Sequence, residues 1–184
     1  VVTPVFGAAG SRIDFITASR AHHADIGGIT PGSMPPGSRD IGEEGALFVP
    51  VRIVRDGRLD EDLLSRAFST GPWPARNLAQ NLADLRAQLA ANARGIQELE
   101  RAAGEHGLAT LLAFMGHVQH NAELCMRRAV RRLRDGRFRY ELDNGQFIDV
   151  AVSVNQQAGS ARVDFAGTSA QQDNNFNAPR AVTV

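Results

Sequence analysis

The 184-residue chain contains no lysine, so all 20 of its basic side chains are arginine. A lysine that forms a Schiff base, or one that binds nucleotide phosphates in a P-loop, is therefore excluded within this segment. The 20 acidic side chains balance the arginines. A net charge of zero gives no overall attraction to nucleic acid or to an anionic membrane.

The chain also has little sulfur and no long apolar run. Cys125 is the only cysteine, which excludes an internal disulfide and fits a reducing compartment. No apolar run approaches the ~20 residues of a membrane helix, and residues 1–6 lack the charge and length of a signal peptide. We therefore expect a cytoplasmic protein. A content of 43% hydrophobic and 22% charged residues is ordinary for a globular domain with its own core.

Among the residues that are present, His22, His23 and Asp25 form the most informative cluster. Imidazole nitrogens and carboxylate oxygens are ligands of divalent metals such as Zn²⁺ and Mn²⁺. In an extended chain His23 and Asp25 point one way and His22 the other, so all three reach one ion only if the chain turns. Gly27 and Gly28 permit such a turn. The alternative is a His/Asp pair held by hydrogen bonds in a loop.

The middle of the chain is predicted to be helical, because apolar residues recur there at spacings of three, four and seven. The first apolar seam comprises Leu78, Leu82, Leu85, Leu89, Ile96, Leu99 and Ala103. The second, after a break at residues 104–107, comprises Leu108, Leu111, Leu112, Met115, Val118, Ala122, Cys125, Ala129 and Leu133. Two long helices joined by a short break predict an antiparallel hairpin, with its seams packed in a core or serving an interface.

Strand patterns flank the helical region. The predicted strands are residues 12–19, 47–55, 138–142, 146–154 and 161–166, and an apolar run at 181–184 looks like one more. Turn signals at Asp56-Gly57 and Asp143-Asn144-Gly145 separate them, and residues 60–68 form a short helix.

These patterns predict an α+β fold, in which a mixed or antiparallel sheet has a long antiparallel helical hairpin inserted between its strands. We expect one domain over residues 1–184. It would consist of a β and loop part at 1–70, the hairpin at 75–135 and a β-meander at 137–184.

The segment Ala18–Pro36, followed by Glu43-Glu44-Gly45, resembles the B component of the hydantoinase/oxoprolinase family, and within it the ATP-dependent 5-oxoprolinases. Further matches are Gly71–Asn77, Asp164–Ser169 and Asn174–Pro179. Because the family's B component is several times longer, the resemblance implies that the chain is an internal fragment, inactive when isolated.

The resemblance implies an amidohydrolase in which an A-type partner domain binds ATP and phosphorylates the substrate. The B domain then completes hydrolysis of the activated 5-oxoproline to glutamate. It implies a divalent metal, Zn, Mn or Mg, with His22, His23 and Asp25 as ligands, or with Asp25 orienting a histidine. A His-x-x-Asp element upstream of Val1 would supply further ligands. We expect an oligomer.

The resemblance also implies a substrate-side loop, although no catalytic residue can be assigned. Its candidate binding residues are Thr168, Ser169, Asn175 and Asn177.

Other functions remain open from the sequence. Within the family, the alternatives are a hydantoinase B and the large subunit of an ATP-dependent ketone carboxylase. A different class is a non-catalytic interaction module that docks through the helical hairpin. His117, His120 and Glu123 could form a second metal-binding face, although such groups are more often surface residues. The arginines of residues 127–139 could bind nucleic acid, but no aromatic residues interleave with them, and cations suit a helix C-terminus.

Overall fold

A computed structural model of the chain describes residues 1–7, 10–32 and 35–183, and it confirms an α+β fold with a long helical region between strands. The helices are α1 (Glu61–Ser69), α2 (Leu78–His106), α3 (Leu108–Val130) and α4 (Arg180–Thr183), with a 3₁₀ helix at Ile41–Glu44. The strands are β1 (Val2–Phe6), β2 (Ile13–Ala18), β3 (Val54–Arg55), β4 (Arg58–Leu59), β5 (Gly136–Glu141), β6 (Phe147–Asn155) and β7 (Ser160–Asp164).

All strand pairs in the described residues are antiparallel, and they form three small sheets rather than one. β1 pairs with β2, β3 pairs with β4, and β6 lies between β5 and β7. The chain divides into two compact units, residues 1–101 with 172–184, and residues 102–171. The three-part division expected from the sequence stays a prediction.

The core of the first unit lies where α1 packs against the first apolar seam of α2. Leu64 and Phe68 of α1 are almost fully buried and contact Leu82 and Leu85 of α2. Asn77 caps the start of α2, since its side-chain oxygen accepts a hydrogen bond from the Gln80 amide at 3.1 Å. The first seam therefore faces a core, as predicted.

Buried amides extend the same face of α2 and fix the N-terminal strands on it. The Asn92 Nδ2 group donates to the Val1 carbonyl at 3.3 Å and to the Thr3 hydroxyl at 3.0 Å. The Ser19 hydroxyl donates to the Gln88 carbonyl at 3.1 Å. These bonds place the end of β2, and the histidine segment that follows it, beside α2.

The second seam differs from the expectation of a packed core. No residue of α3 is buried, and Phe114, Val118 and Met126 are 62%, 68% and 65% exposed. Within its own unit α3 meets mainly the short strand β7, which is too small to cover the apolar face of a 23-residue helix. The antiparallel packing of α2 against α3 stays a prediction.

Three strand predictions need correction. Only Val54–Arg55 of the predicted 47–55 strand pairs with another strand, because Pro50 has no amide hydrogen to donate within the segment. The predicted strand at 181–184 is instead the helix α4, whose first turn follows Pro179. Val184 lies outside the described residues. β1 was not predicted, since Pro4 interrupts its pattern.

Turns between strands follow the sequence signals. Asp56 and Gly57 take positive φ angles of 48° and 75°, as a tight two-residue hairpin requires. The β5–β6 turn closes with the Gly145 amide donating to the Leu142 carbonyl at 2.9 Å. No helix in the described part of the chain is long and apolar enough to cross a membrane.

Candidate functional site

The segment after the histidines crosses two other parts of the chain at very short range. The Gly28 amide donates to the Trp73 carbonyl at 3.0 Å, and the Ile29 amide donates to the Glu43 carbonyl at 2.9 Å. A Cβ atom on Gly28 would lie 2.8 Å from that Glu43 carbonyl oxygen, and φ of Gly28 is 94°. The glycines are therefore needed for close backbone crossing, and they do not wrap the cluster around one ion.

Asp25 holds this crossing together. Its carboxylate accepts hydrogen bonds from the amides of Gly27 at 2.9 Å, Gly32 at 3.2 Å and Arg76 at 3.2 Å. The Arg76 guanidinium donates to it at 2.9 Å. Partial burial acts to raise the pKa of Asp25, but these hydrogen bonds outweigh it and hold the pKa below its ordinary value. The carboxylate is thus ionised and fully occupied by hydrogen-bond donors.

The Arg76 guanidinium binds the same loop, a role that was not predicted from the sequence. Its guanidinium also donates to the Gly28 carbonyl at 2.7 Å and to the Thr30 carbonyl at 3.4 Å. Nearby, the buried Asn81 donates to the main-chain carbonyl of Asp25 at 2.8 Å. Arg76 lies within the 71–77 segment that resembles the family, which was the available signal. Its pairing with Asp25 across 51 positions was not visible in the sequence.

His23 is held differently, by a carboxylate on α2. Its Nδ1 lies 3.1 Å from Oδ2 of Asp84, and the other oxygen of Asp84 accepts from Gln80 Nε2 at 2.7 Å. The imidazole also meets the ring of Phe68 edge-on, at 6.0 Å between centroids. With Nδ1 engaged, Nε2 is the nitrogen available to a further ligand. His22, the adjacent histidine, is exposed.

The predicted metal ligands are not assembled around one point. Within residues 1–7, 10–32 and 35–183, no three His, Cys, Asp or Glu side chains are placed to hold a metal ion. The donor chemistry fits a metal at His23, whose ring is oriented by a carboxylate. It does not fit at Asp25, because amides and Arg76 occupy both of its oxygens. A complete site would need ligands besides those described.

A large apolar cavity adjoins His23 in the first unit. Its volume is about 1080 Å³, and its walls include Val2, Phe48, Phe68 and Leu85. Its polar lining includes Arg20, Gln88 and Asn92 beside the imidazole. A space of this size can receive a small molecule or a protein segment.

The predicted substrate residues Thr168 and Ser169 stabilise the three-stranded sheet. The Thr168 hydroxyl accepts from the Asp149 amide at 3.0 Å and donates to the Asp149 carbonyl at 3.1 Å. The Ser169 hydroxyl accepts from the Phe147 amide at 3.0 Å. Both side chains therefore extend the hydrogen bonding of β6.

The other two, Asn175 and Asn177, lie in the first unit. Asn177 stabilises its own loop through local hydrogen bonds. Its Oδ1 accepts from the Gln172 amide at 2.9 Å, and its Nδ2 donates to the Asn174 carbonyl at 2.6 Å. Oδ1 of Asn175 is buried and has no hydrogen-bond partner among the described residues. The Oδ1 atom of Asn175 thus has unused bonding capacity.

Two other candidate sites from the sequence, the His117/His120/Glu123 group and the arginine run, include residues with local partners. Glu123 pairs with Arg127 at 2.8 Å, and His117 packs edge-on against Phe114 at 5.8 Å. In the arginine run, Arg137 bonds both oxygens of the buried Asp149, and Arg139 lies over the Phe147 ring at 3.3 Å. Hydrogen bonding to Arg137 lowers the pKa of Asp149 below its ordinary value.

Comparison with known proteins decides the family. The model of the family "Hydantoinase B/oxoprolinase" matches residues 1–184, the whole chain. The chain belongs to the hydantoinase B/oxoprolinase family. It is 38% identical over 193 residues to a 5-oxoprolinase of Dictyostelium discoideum and 37% identical over 195 residues to a 5-oxoprolinase of Saccharomyces cerevisiae. Each alignment covers 100% of this chain but 15% of the relative, so the chain spans about a seventh of these relatives' length.

A solved structure shares the fold of this chain. The ATP-dependent caprolactamase from Pseudomonas jessenii superposes with a TM-score of 0.71 at 25% sequence identity. The superposition covers 88% of this chain and 28% of the caprolactamase chain. The family resemblance noted from the motifs is thereby confirmed.

Proposed function

We propose that this chain is part of the B domain of an ATP-dependent enzyme that hydrolyses a cyclic amide, with 5-oxoproline as the favoured substrate. The observation that carries the proposal is the end-to-end match to 5-oxoprolinases, together with the likeness to an ATP-dependent caprolactamase. The names of these proteins refer to lactams of different ring size, so the shared chemistry is opening of a cyclic amide bond.

ATP chemistry is assigned to a partner A-type domain or subunit. The chain has no lysine for phosphate binding, which supports a division of labour. The A domain transfers a phosphoryl group from ATP to the amide oxygen and releases ADP. The B domain receives the activated intermediate and adds water to its carbon, whereupon the ring C–N bond breaks and phosphate leaves. For 5-oxoproline the product is glutamate. Assembly into an oligomer of A and B parts belongs to the same proposal.

A divalent metal belongs to the proposed site, held by His23 and His22 together with ligands outside the described residues. Such an ion can polarise an oxygen or lower the pKa of a bound water. Within this chain Asp84 orients the His23 ring, and the Asp25–Arg76 pair fixes the loop that follows the histidines. The role proposed for Asp25 is therefore to position the loop.

The test uses a polypeptide of the relatives' length that contains this chain, combined with its A-type partner. Metal content and substrate-dependent ATP hydrolysis are measured with 5-oxoproline, with a hydantoin, and with a ketone plus bicarbonate. We expect turnover with 5-oxoproline, and loss of turnover and metal in His22→Ala and His23→Ala. His106→Ala, at the exposed end of α2, is the matched control.

Each other outcome favours another member of the family or another class. Turnover only with hydantoin indicates a hydantoinase B, and bicarbonate-dependent turnover with a ketone indicates a carboxylase. If all variants retain metal and turnover, the histidine cluster has no part in the chemistry. A stable complex with the A partner that turns over none of the three substrates favours the interaction module.

A further inference from the structure

We propose that Asp84 is the positioning residue for His23, and that it sets the ring tautomer so that Nε2 faces its ligand without a proton. This proposal rests on the proposed function, because it concerns the same histidine cluster. Asp84 lies 61 positions from His23 and in none of the segments that resemble the family.

The contact is direct and partly buried. Oδ2 of Asp84 lies 3.1 Å from Nδ1 of His23, and the two side chains are 24% and 18% exposed. Because Gln80 donates to the second oxygen at 2.7 Å, the carboxylate is fixed at both ends. Gln80 and Asp84 are one turn apart in α2, near its capped start, so they are held on a rigid helical face.

The chemistry of the pair determines which ring nitrogen is free. A neutral imidazole carries one N–H, and an ionised carboxylate can only accept a hydrogen bond. In the neutral ring the hydrogen is therefore on Nδ1, facing Asp84, and the lone pair of Nε2 is left for a metal ion or a proton of the substrate. A carboxylate behind a histidine in this way orients the ring and makes it a better ligand.

Asp25 does not have this role, although the sequence suggested it as an orienting partner. Its oxygens bond the amides of Gly27, Gly32 and Arg76 and the Arg76 guanidinium. The two carboxylates near His23 thus have separate tasks. Asp25 fixes the loop, and Asp84 orients the imidazole.

The first experiment reads the tautomer by ¹⁵N NMR of the histidine rings of the 184-residue chain. The five histidines are few enough to assign, with His23→Gln identifying the His23 signals. We expect the Nδ1–H form in the wild type and a shift towards the Nε2–H form in Asp84→Ala. Asp84→Asn should shift at least as far, because its oxygen accepts from Gln80 and its N–H then faces Nδ1. Glu98→Ala, a carboxylate elsewhere on α2 that pairs with arginines, should leave the spectrum unchanged.

An unchanged tautomer in folded Asp84→Ala overturns the proposal. Retention of the Nδ1–H form in folded Asp84→Asn also overturns it, since an N–H donor in place of the carboxylate would then leave the tautomer unchanged.

The second experiment measures the affinity of the family-length protein for Mn²⁺ and Zn²⁺ against a competing chelator. We expect Asp84→Ala to weaken binding about 10- to 100-fold, Asp84→Asn to weaken it at least as much, and Glu98→Ala to leave it unchanged. If His23→Ala weakens binding and Asp84→Ala does not, positioning is overturned while the proposed function stands. If neither variant weakens metal binding, the metal role proposed for His23 is wrong, and the positioning role of Asp84 towards that metal is overturned as well.

Discussion

At the scale of single residues, the Asp25 carboxylate organises the loop after the histidines, and this has a consequence for stability. Asp25→Asn removes a charge that four N–H donors share. We expect the free energy of unfolding at pH 7 to fall by about 1–3 kcal/mol. The control Glu100→Gln, at an exposed position of α2, should change it by less than about 0.5 kcal/mol.

The pH dependence of this loss follows from the lowered pKa of Asp25 in the folded chain. Stability from such a group is present above its unfolded pKa, about 3.9, and is lost as the pH falls through the folded value. The difference between wild type and Asp25→Asn should therefore shrink in acid. Urea unfolding at pH 7 and at successively lower pH measures it, and a difference that stays constant would contradict the assignment.

Replacing Gly28 or Gly104 by alanine should change the stability of the chain in opposite directions. In Gly28→Ala the new Cβ meets the Glu43 carbonyl oxygen at 2.8 Å and the residue must keep φ of 94°, so we expect a loss of about 1–3 kcal/mol or more. Gly104 lies in α2 with nothing within 4 Å of a Cβ. Its replacement by alanine should stabilise the chain by up to about 1 kcal/mol. Thermal unfolding of both variants tests this, and equal melting temperatures would refute it.

At the scale of secondary structure, Asp60 decides where α1 begins. Its side chain accepts from the Leu63 amide at 3.0 Å, and acidic residues follow in the first turn. Asp60→Ala should lower the free energy of unfolding by about 1 kcal/mol, whereas Asp60→Ser, which keeps a capping oxygen, should lose much less. Chemical unfolding of the two variants separates the cap from the charge. If Asp60→Ser lowers the free energy of unfolding as much as Asp60→Ala does, the effect belongs to the Arg55–Asp60 ion pair and not to the cap.

The elements differ in how far the sequence predicted them, and the differences have physical causes. The helices α1 and α2 follow from caps and apolar periodicity, and α3 follows from apolar periodicity, which are local properties of the chain. The predicted strand at 47–55 failed because strand formation requires a partner, and Pro50 removes a donor from the segment. The run at 181–184 failed because β-branched residues only favour a strand, and the turn begun at Pro179 prevailed.

At the scale of the whole molecule, the exposed apolar face of α3 governs how the isolated chain behaves. Apolar surfaces of this kind promote association. Val118 is 68% exposed, so Val118→Glu should increase the monomer fraction of the isolated 184-residue chain without lowering its melting temperature. Gln119→Glu adds the same charge beside it, outside the apolar seam, and should have little effect. Light scattering after size exclusion measures the difference, and equal monomer fractions in the two variants would remove the explanation.

The candidate site shows the limit of inference from sequence. His23 and Asp25 were found because a cluster of ligand-type side chains is visible within four residues. Arg76 and Asp84 were missed because their partners lie 51 and 61 positions away. Thr168 and Ser169 were expected at a substrate. That role stays a prediction. Their hydroxyls bond the backbone of β6, a contact that residue type alone does not reveal.

The sequence by itself determined the family, the α+β class, the long helices and the position of the histidine cluster, because these depend on residue types at short spacing. Only the tertiary structure decided what each polar group does. It placed Asp25 on Arg76 and His23 on Asp84, and it used the glycines for a crossing of three segments. A carboxylate binds whichever donor the fold brings within about 3 Å, and the fold is set by packing across the whole chain.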